Sequence, residues 1–143
     1  MSVYQISVFL ENRAGQLAEV TKLLAENGID MRAISIAETK DYGVLRLIVD
    51  DTDKAVEALL AHGSILSKTP VTVVCVPDEC GGLAPVLATL AEGHLDVEYM
   101  YSLFTHKDGK AYMVFRISDE EKFRALLASH GIQTAGKEEL GLK

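Results

Sequence analysis

Tryptophan is absent from this chain of 143 residues, aromatic residues make up 6% of it, and it has two cysteines. So little aromatic surface leaves few side chains for stacking on nucleobases or sugars. The cysteines, Cys75 and Cys80, are too few for a disulfide framework. No apolar run approaches the roughly 18–20 residues of a membrane helix, and the N-terminal stretch has no basic segment of a secretory signal. These absences predict a cytoplasmic protein.

Positive charge is also scarce. Fourteen Lys and Arg stand against 21 Asp and Glu, which gives a formal net charge of −7. Such a chain is a poor partner for nucleic acid or an anionic membrane, because both are polyanions. Tyr99 and Tyr101 are spaced like the nucleobase-stacking residues of RNA-binding sheets, but no basic cluster accompanies them. The alternative, a buried or interface position for these rings, is therefore favoured.

The chain contains an internal repeat. Residues 8–20 align with residues 74–86 at an offset of 66, which pairs Gly15 with Gly81. Farther along, the offset becomes 68 and pairs His62 with His130. A register held from residue 8 to residue 63 with one small jump indicates a tandem duplication. We therefore predict two domains, residues 1–69 and 70–143, with a two-residue insertion in the turn at 106–110 of the second copy.

Each copy has the same order of predicted elements. In the first copy these are a strand at 4–10, a helix from about 16 to 27, strands at 31–39 and 44–49, a helix ending at 63 and a strand at 65–67. In the second they are a strand at 71–76, a helix from about 83, strands at 96–105 and 111–117 and a helix opened by a capping box at 118–121. The order β-α-β-β-α-β predicts an α+β fold of two ferredoxin-like modules, each with an antiparallel sheet and its helices on one face. A link of only residues 68–71 predicts modules packed side by side.

The turn after the first strand of each copy is the strongest candidate site. Gly15 and Gly81 mark the change from strand to helix, where glycine allows a ligand close to the backbone. Free N–H groups at the start of the helix suit a carboxylate, and Asn12 or Asp78 could accept hydrogen bonds from an ammonium group. Together these groups would suit a free amino acid. Alternatively, the Asx residues only cap the turn and the glycines only form it.

A family resemblance supports the first interpretation. An apolar strand followed by the sequences at 12–20 and 23–31 resembles the ACT domain, a β-α-β-β-α-β regulatory module that binds amino acids and other small metabolites. The resemblance runs from Tyr4 to about Ile132 as two copies, and the whole is similar to stand-alone tandem ACT proteins of bacteria and archaea. It implies an effector at the interface between the modules, held by the turn after the first strand and by the second strand of the opposing module.

The resemblance assigns ligand-binding roles to three groups of residues. In the first turn they are Asn12, Arg13, Ala14, Gly15, Gln16 and Leu17. In the second turn they are Asp78, Glu79, Cys80, Gly81, Gly82 and Leu83. On the second strands they are Ile34, Ile36, Met100, Tyr101 and Ser102. The apolar lining favours an apolar or aromatic amino acid. Because the second turn has two acids and no basic residue, the first turn is predicted to bind the carboxylate.

Other chemistries have weaker signals. Cys80 precedes a helix, where a thiolate is stabilised, but no histidine is near it in sequence. The four histidines have no metal-binding spacing, and the common nucleotide and hydrolase motifs are absent. The sequence therefore predicts a non-catalytic regulator without metal or cofactor, whose exposed sheet edges favour a homodimer and which acts on an enzyme of amino-acid metabolism. The alternatives are an interaction subunit that docks to a metabolic enzyme without binding a ligand and, behind it, an enzyme that uses Cys80.

Overall fold

The computed structural model describes residues 2–11, 13–38 and 41–143. The chain divides into two compact units. The first unit comprises Tyr4–Pro70 and Gly141–Lys143, and the second comprises Val71–Leu140 with the residues up to Val3. The elements, in chain order, are β1 (Val3–Glu11), α1 (Gln16–Glu26), β2 (Met31–Glu38), β3 (Tyr42–Val49), α2 (Thr52–Ala61), β4 (Ile65–Pro77), α3 (Ala84–Glu92), β5 (Val97–Lys107), β6 (Lys110–Ile117), α4 (Glu120–Ser129), β7 (Thr134–Ala135) and α5 (Lys137–Leu140).

In the first unit, β3 pairs antiparallel with both β1 and β2, and β4 lies beside β1. The alternation of β1 directs Ile6, Val8 and Leu10 into the core beneath the helices, because successive side chains of a strand point to opposite faces. Helix α1 adds Val20 and Leu24 to this core. The remaining buried members are Ile29, Leu45, Leu47, Val49, Ala55 and Leu59.

The second unit repeats this arrangement. Strand β6 pairs antiparallel with β4 and β5, and β7 pairs with β4. Its core is filled by larger side chains, since the rings of Phe115 and Phe123 meet at a centroid distance of 5.5 Å. The other buried members are Val74, Val76, Val86, Leu90, Ile117 and Leu127. Both units therefore have the predicted βαββαβ order, and the α+β prediction is confirmed.

Three details differ from the sequence prediction. The expected link at residues 68–71 is strand, because β4 runs without interruption from Ile65 to Pro77. The N-cap of α4 is Asp119, whose side chain accepts from the N–H of Lys122, so the cap lies one residue after the predicted Ser118. The short elements β7 and α5 carry too few residues to show a periodicity, and the sequence analysis missed them. Among the described residues, no helix has the length and hydrophobicity to cross a membrane.

Candidate functional site

A cavity lies at the strand-to-helix turn of each unit. Each is closed on its other side by the turn that follows the second helix of the repeat. The cavity of the first unit, about 280 Å³ in volume, is lined by Phe9, Leu10, Glu11, Arg13, Gln16, Glu19, Val20, His62, Gly63, Ser64 and Ile65. The cavity of the second unit, about 460 Å³, is lined by Cys75, Val76, Pro77, Glu79, Gly81, Gly82, Pro85, Val86, Asp108, Gly109, Lys110, Gly131, Ile132 and Gln133.

The two cavities occupy equivalent positions in the repeat. Under the offsets of 66 and 68, every lining residue of the first cavity except His62 has its counterpart in the lining of the second. The second cavity additionally includes Gly81 and the hairpin residues Asp108, Gly109 and Lys110. The duplication has therefore preserved the position of the cavity, while the insertion in the second copy has added a wall to it.

In the first turn, neighbouring residues bind one another. The side-chain oxygen of Gln16 accepts a 2.8 Å hydrogen bond from the N–H of Glu11, five residues back. The Nε of Arg13 lies 3.2 Å from the carboxylate of Glu11. Gly15, the N-cap of α1, has φ 89°, a left-handed conformation that an L side chain adopts only with strain. The side chains of Glu11, Arg13 and Gln16 at this cavity thus already have partners.

The second turn is wound more tightly. Within it, the N–H of Gly82 donates to the carbonyl of Glu79 at 3.0 Å, and that of Ala84 to Gly81 at 3.3 Å. Gly82 stands where the first copy has Gln16, and a Cβ there would overlap the carbonyl oxygen of Pro77. A glutamine could not replace it without moving the turn. The N–H groups of Gly82 and Ala84 are therefore used inside the turn.

The structure brings together only part of the predicted ligand-binding set. Arg13 and Gln16 line the first cavity, and Glu79, Gly81 and Gly82 line the second. The other turn residues, Ala14, Gly15, Leu17, Asp78, Cys80 and Leu83, are in neither lining. Asn12 lies outside the described residues. Leu83 instead packs against the core of the second unit.

The predicted residues on the second strands also lie outside both linings. Ile34 and Met100 pack against the cores of their own units, while Ile36 is 53% exposed. Tyr101 stacks on Tyr99 with ring centroids 6.5 Å apart, both rings being half-buried. Their role towards an opposing module remains a prediction.

The histidines and cysteines do not form a cluster. Among the described residues there is no group of three His, Cys, Asp or Glu side chains placed to hold a metal ion. Cys75 is half-buried and Cys80 exposed, and both are free thiols. His62 and His130 cap the C-termini of α2 and α4, the positions at which a cationic imidazole interacts favourably with the helix dipole.

The sequence did not predict the side of each cavity that is formed by the turn after the second helix of the copy. Ser64 and Ile65 in the first unit, Ile132 and Gln133 in the second, and the hairpin residue Lys110 were not candidates. One signal was available, because the match of His62-Gly63 with His130-Gly131 marked this turn as a repeated feature. The insertion at 106–110 was a second signal, since Lys110 ends the hairpin turn that contains it and lines the second cavity.

A duplicated βαββαβ unit with a cavity at each strand-to-helix turn defines a tandem ferredoxin-like protein. The chain belongs to the ACT domain pair family, whose model matches residues 1–141, and this is a family of regulatory domains. The chain is similar to the crystal structure of protein BT0572 from Bacteroides thetaiotaomicron, with 37% identity and a TM-score of 0.89 over 99% of this chain and 96% of that one.

Two more distant structures share the fold. The ligand-free regulatory subunit of aspartate kinase from Thermus thermophilus is 22% identical, with a TM-score of 0.65 over 92% of this chain and 93% of that one. The regulatory subunit of aspartate kinase from Thermus flavus is 19% identical, with a TM-score of 0.57 over 91% and 94%. No curated protein matches the chain.

Proposed function

We propose that this protein is a non-catalytic, cytoplasmic regulator that binds a free amino acid and thereby alters the activity of an enzyme of amino-acid metabolism. The observation that carries the proposal is the recurrence of the same cavity at the strand-to-helix turn of both units. The second cavity combines an apolar wall with a few charged groups, which is typical of a small-molecule site. Membership of a regulatory family supports the same reading.

For the partner, we propose only a class of enzyme. The two Thermus structures that share the fold are named as regulatory subunits of aspartate kinase, which supports an enzyme of amino-acid metabolism as the partner class. We further propose a homodimer, because β2 and β5 each form a sheet edge and an exposed edge can pair with another strand. Light scattering on the purified protein tests the homodimer directly.

Ligand binding is tested by a thermal-shift screen of the full chain against the twenty amino acids and the corresponding 2-oxo acids. A ligand at about 100 times its Kd stabilises the folded state by about 2.7 kcal/mol, provided that it does not bind the unfolded chain. We expect a shift with a small subset of the amino acids. No shift with any of these compounds would refute amino-acid binding and favour a subunit that docks to its enzyme without a ligand.

Regulation is tested by linkage. If the amino acid acts through this protein on a partner enzyme, it must change the affinity of the protein for that enzyme, and the enzyme must change the affinity for the amino acid by the same factor. Calorimetric titrations of each pair, with and without the third component, measure both factors. Equal affinities in all titrations would refute the regulatory role and leave ligand binding intact.

A further inference from the structure

The two equivalent cavities differ in how much room they offer a ligand. Small-molecule sites have volumes of roughly 300–1,000 Å³. The second cavity, at about 460 Å³, lies within this range, whereas the first, at about 280 Å³, is smaller and lies near its lower limit. Part of the difference comes from position 82, since Gly82 has no side chain where Gln16 of the first copy extends back to the N–H of Glu11.

The cavities also differ in whether a cation is available to bind a carboxylate. In the first, the guanidinium of Arg13 is paired with Glu11. In the second, Lys110 lines the cavity, and no hydrogen bond or ion pair joins its side-chain ammonium group to any residue that the structure describes. The corresponding residue of the first copy is Tyr42, which packs against Phe9 instead. The second cavity therefore offers an unpaired ammonium group.

The rest of the second cavity defines the class of ligand. Its wall includes the apolar side chains of Val76, Val86 and Ile132, while Glu79 and Asp108 add two carboxylates. A simple carboxylate would meet Lys110 together with two like charges. A zwitterion balances this set better, because its carboxylate pairs with the lysine and its ammonium group with an acid, while an apolar side chain contacts the wall.

From these observations we infer that the protein binds an α-amino acid with an apolar side chain in the cavity of the second unit alone, with Lys110 holding its carboxylate. This inference rests on the proposed function and reverses the sequence-based prediction that the first turn binds the carboxylate. The site lies within a single unit, between the turn at Gly81-Gly82 and the turn at Gly131–Gln133. The cavity of the first unit remains empty of ligand.

The test is a calorimetric titration of the full chain with L-leucine and L-phenylalanine, and with the matching 2-oxo acids 4-methyl-2-oxopentanoate and phenylpyruvate. Two pairs of variants accompany it. Lys110→Met removes the charge at the cavity, and Lys107→Met removes a charge from the same hairpin outside it. Gln133→Trp fills the second cavity, and Ile65→Trp alters the equivalent position of the first, both being exposed.

We expect the amino acid to bind more tightly than its 2-oxo acid. Lys110→Met is expected to weaken binding about tenfold or more, as loss of a charge-assisted hydrogen bond does, and Gln133→Trp to abolish it. Lys107→Met and Ile65→Trp should bind like the unmodified chain. Binding that survives Lys110→Met and Gln133→Trp but is lost in Ile65→Trp overturns the inference and leaves the proposed function standing. Binding of neither amino acid by the unmodified chain overturns the inference. The proposed function fails only if no amino acid binds in the wider screen.

Discussion

The backbone N–H of Asp78 donates a 2.8 Å hydrogen bond to the carbonyl oxygen of Gly109. Asp78 belongs to the strand-to-helix turn of the second copy, and Gly109 to the hairpin that carries the insertion. The carboxylate of Asp78 also lies 3.1 Å from Nδ1 of His106, in the same hairpin. The inserted residues therefore support the turn beside the larger cavity as well as lengthening the hairpin.

Substitution of Gly109 tests whether this hairpin depends on the left-handed conformation of the residue. Its φ is 73° and a Cβ there would meet open space, so Gly109→Ala introduces backbone strain and no clash. We expect the free energy of unfolding to fall by about 1–2 kcal/mol, as measured by urea denaturation. Gly43→Ala, in the hairpin of the first copy, is the control, since its φ is not positive and a Cβ makes ordinary contacts. Equal destabilisation by both substitutions would contradict the argument.

Gly82 is constrained by space. Because a Cβ would overlap the carbonyl oxygen of Pro77, and backbone yields less readily than a side chain, we expect Gly82→Ala to cost about 2–3 kcal/mol. Gly81→Ala meets no atom within 4 Å but has φ 80°, so it should cost about 1–2 kcal/mol. Thermal and urea denaturation of the two variants measure the two losses in the free energy of unfolding, and the loss should be larger for Gly82→Ala. A milder effect at Gly82 than at Gly81 would show that the turn relaxes freely.

The elements of this fold were largely predictable, because their patterns are local. The strand at Ile6, Val8 and Leu10 shows the period of two, and Gly15 marks the start of α1 where the structure has it. The continuity of β4 was not predictable, since Lys68, Thr69 and Pro70 carry no apolar alternation, whereas the strand pairs with β1, which is distant in sequence. Only the part of the candidate site that lies in the strand-to-helix turn was predictable, because the rest comes from segments distant in sequence.

The residues of the second cavity that the sequence did not predict lie far along the chain from its strand-to-helix turn. The turn at Gly81 is evident in the sequence, but Lys110 and Gln133 reach its cavity only through the antiparallel pairing of β6 and β7 with β4. Nothing in the immediate sequence around either residue indicates a ligand. Only the comparison of the two copies, through the insertion and the repeated His-Gly turn, pointed to these segments.

His130 should make stability depend on pH. Its ring nitrogens lie 2.9 Å from the carbonyl oxygen of Leu126 and 3.0 Å from the carboxylate of Glu92. These acceptors, Leu126 foremost, raise the pKa of His130 above its ordinary value of 6.5. A raised folded-state pKa gives stabilisation that is complete below the unfolded-state pKa and is lost as pH rises through the folded-state pKa.

The measurement compares the chain with its His130→Gln variant by urea denaturation at about pH 5.5 and about pH 8.5. The substitution should reduce the free energy of unfolding more at the lower pH. Glu92→Gln removes the negative charge beside the ring and should narrow the difference between the losses at the two pH values. A loss that is the same at both would mean that the charge of His130 contributes nothing to stability.

Thr72 and Glu120 are coupled in the second unit. The hydroxyl of Thr72 donates to the carboxylate of Glu120 and accepts from Nε of Arg124, while Glu120 also accepts from the N–H of Ile117 at 3.0 Å. Thr72 is buried, so Thr72→Val leaves these partners unsatisfied and should cost about 1–2 kcal/mol. In a double-mutant cycle with Glu120→Ala, which removes the acceptor, we expect non-additive effects. Strict additivity would show that the two side chains do not interact.

The second core depends on Phe123. This ring is fully buried against Phe115, and the equivalent position of the first unit is the small Ala55. Phe123→Ala should therefore leave a cavity and cost about 3–5 kcal/mol, whereas Phe123→Leu retains more of the volume and should cost less. Denaturant unfolding of the Phe123→Ala and Phe123→Leu variants measures both losses in the free energy of unfolding. Similar small losses would mean that the surrounding helices collapse into the space.

The two structural units do not coincide with the two sequence copies, because β4 crosses the boundary between the copies and each chain end belongs to the other unit. The second half of β4 serves the second unit, yet the last residues of the second copy return to the first, where the N–H of Lys143 donates to the carbonyl of Asp50 at 2.8 Å. A break after Pro70 would split a strand and leave the first unit without Gly141–Lys143. The two copies are therefore separate in sequence, but in the structure the first residues of the chain belong to the second unit and its last residues belong to the first.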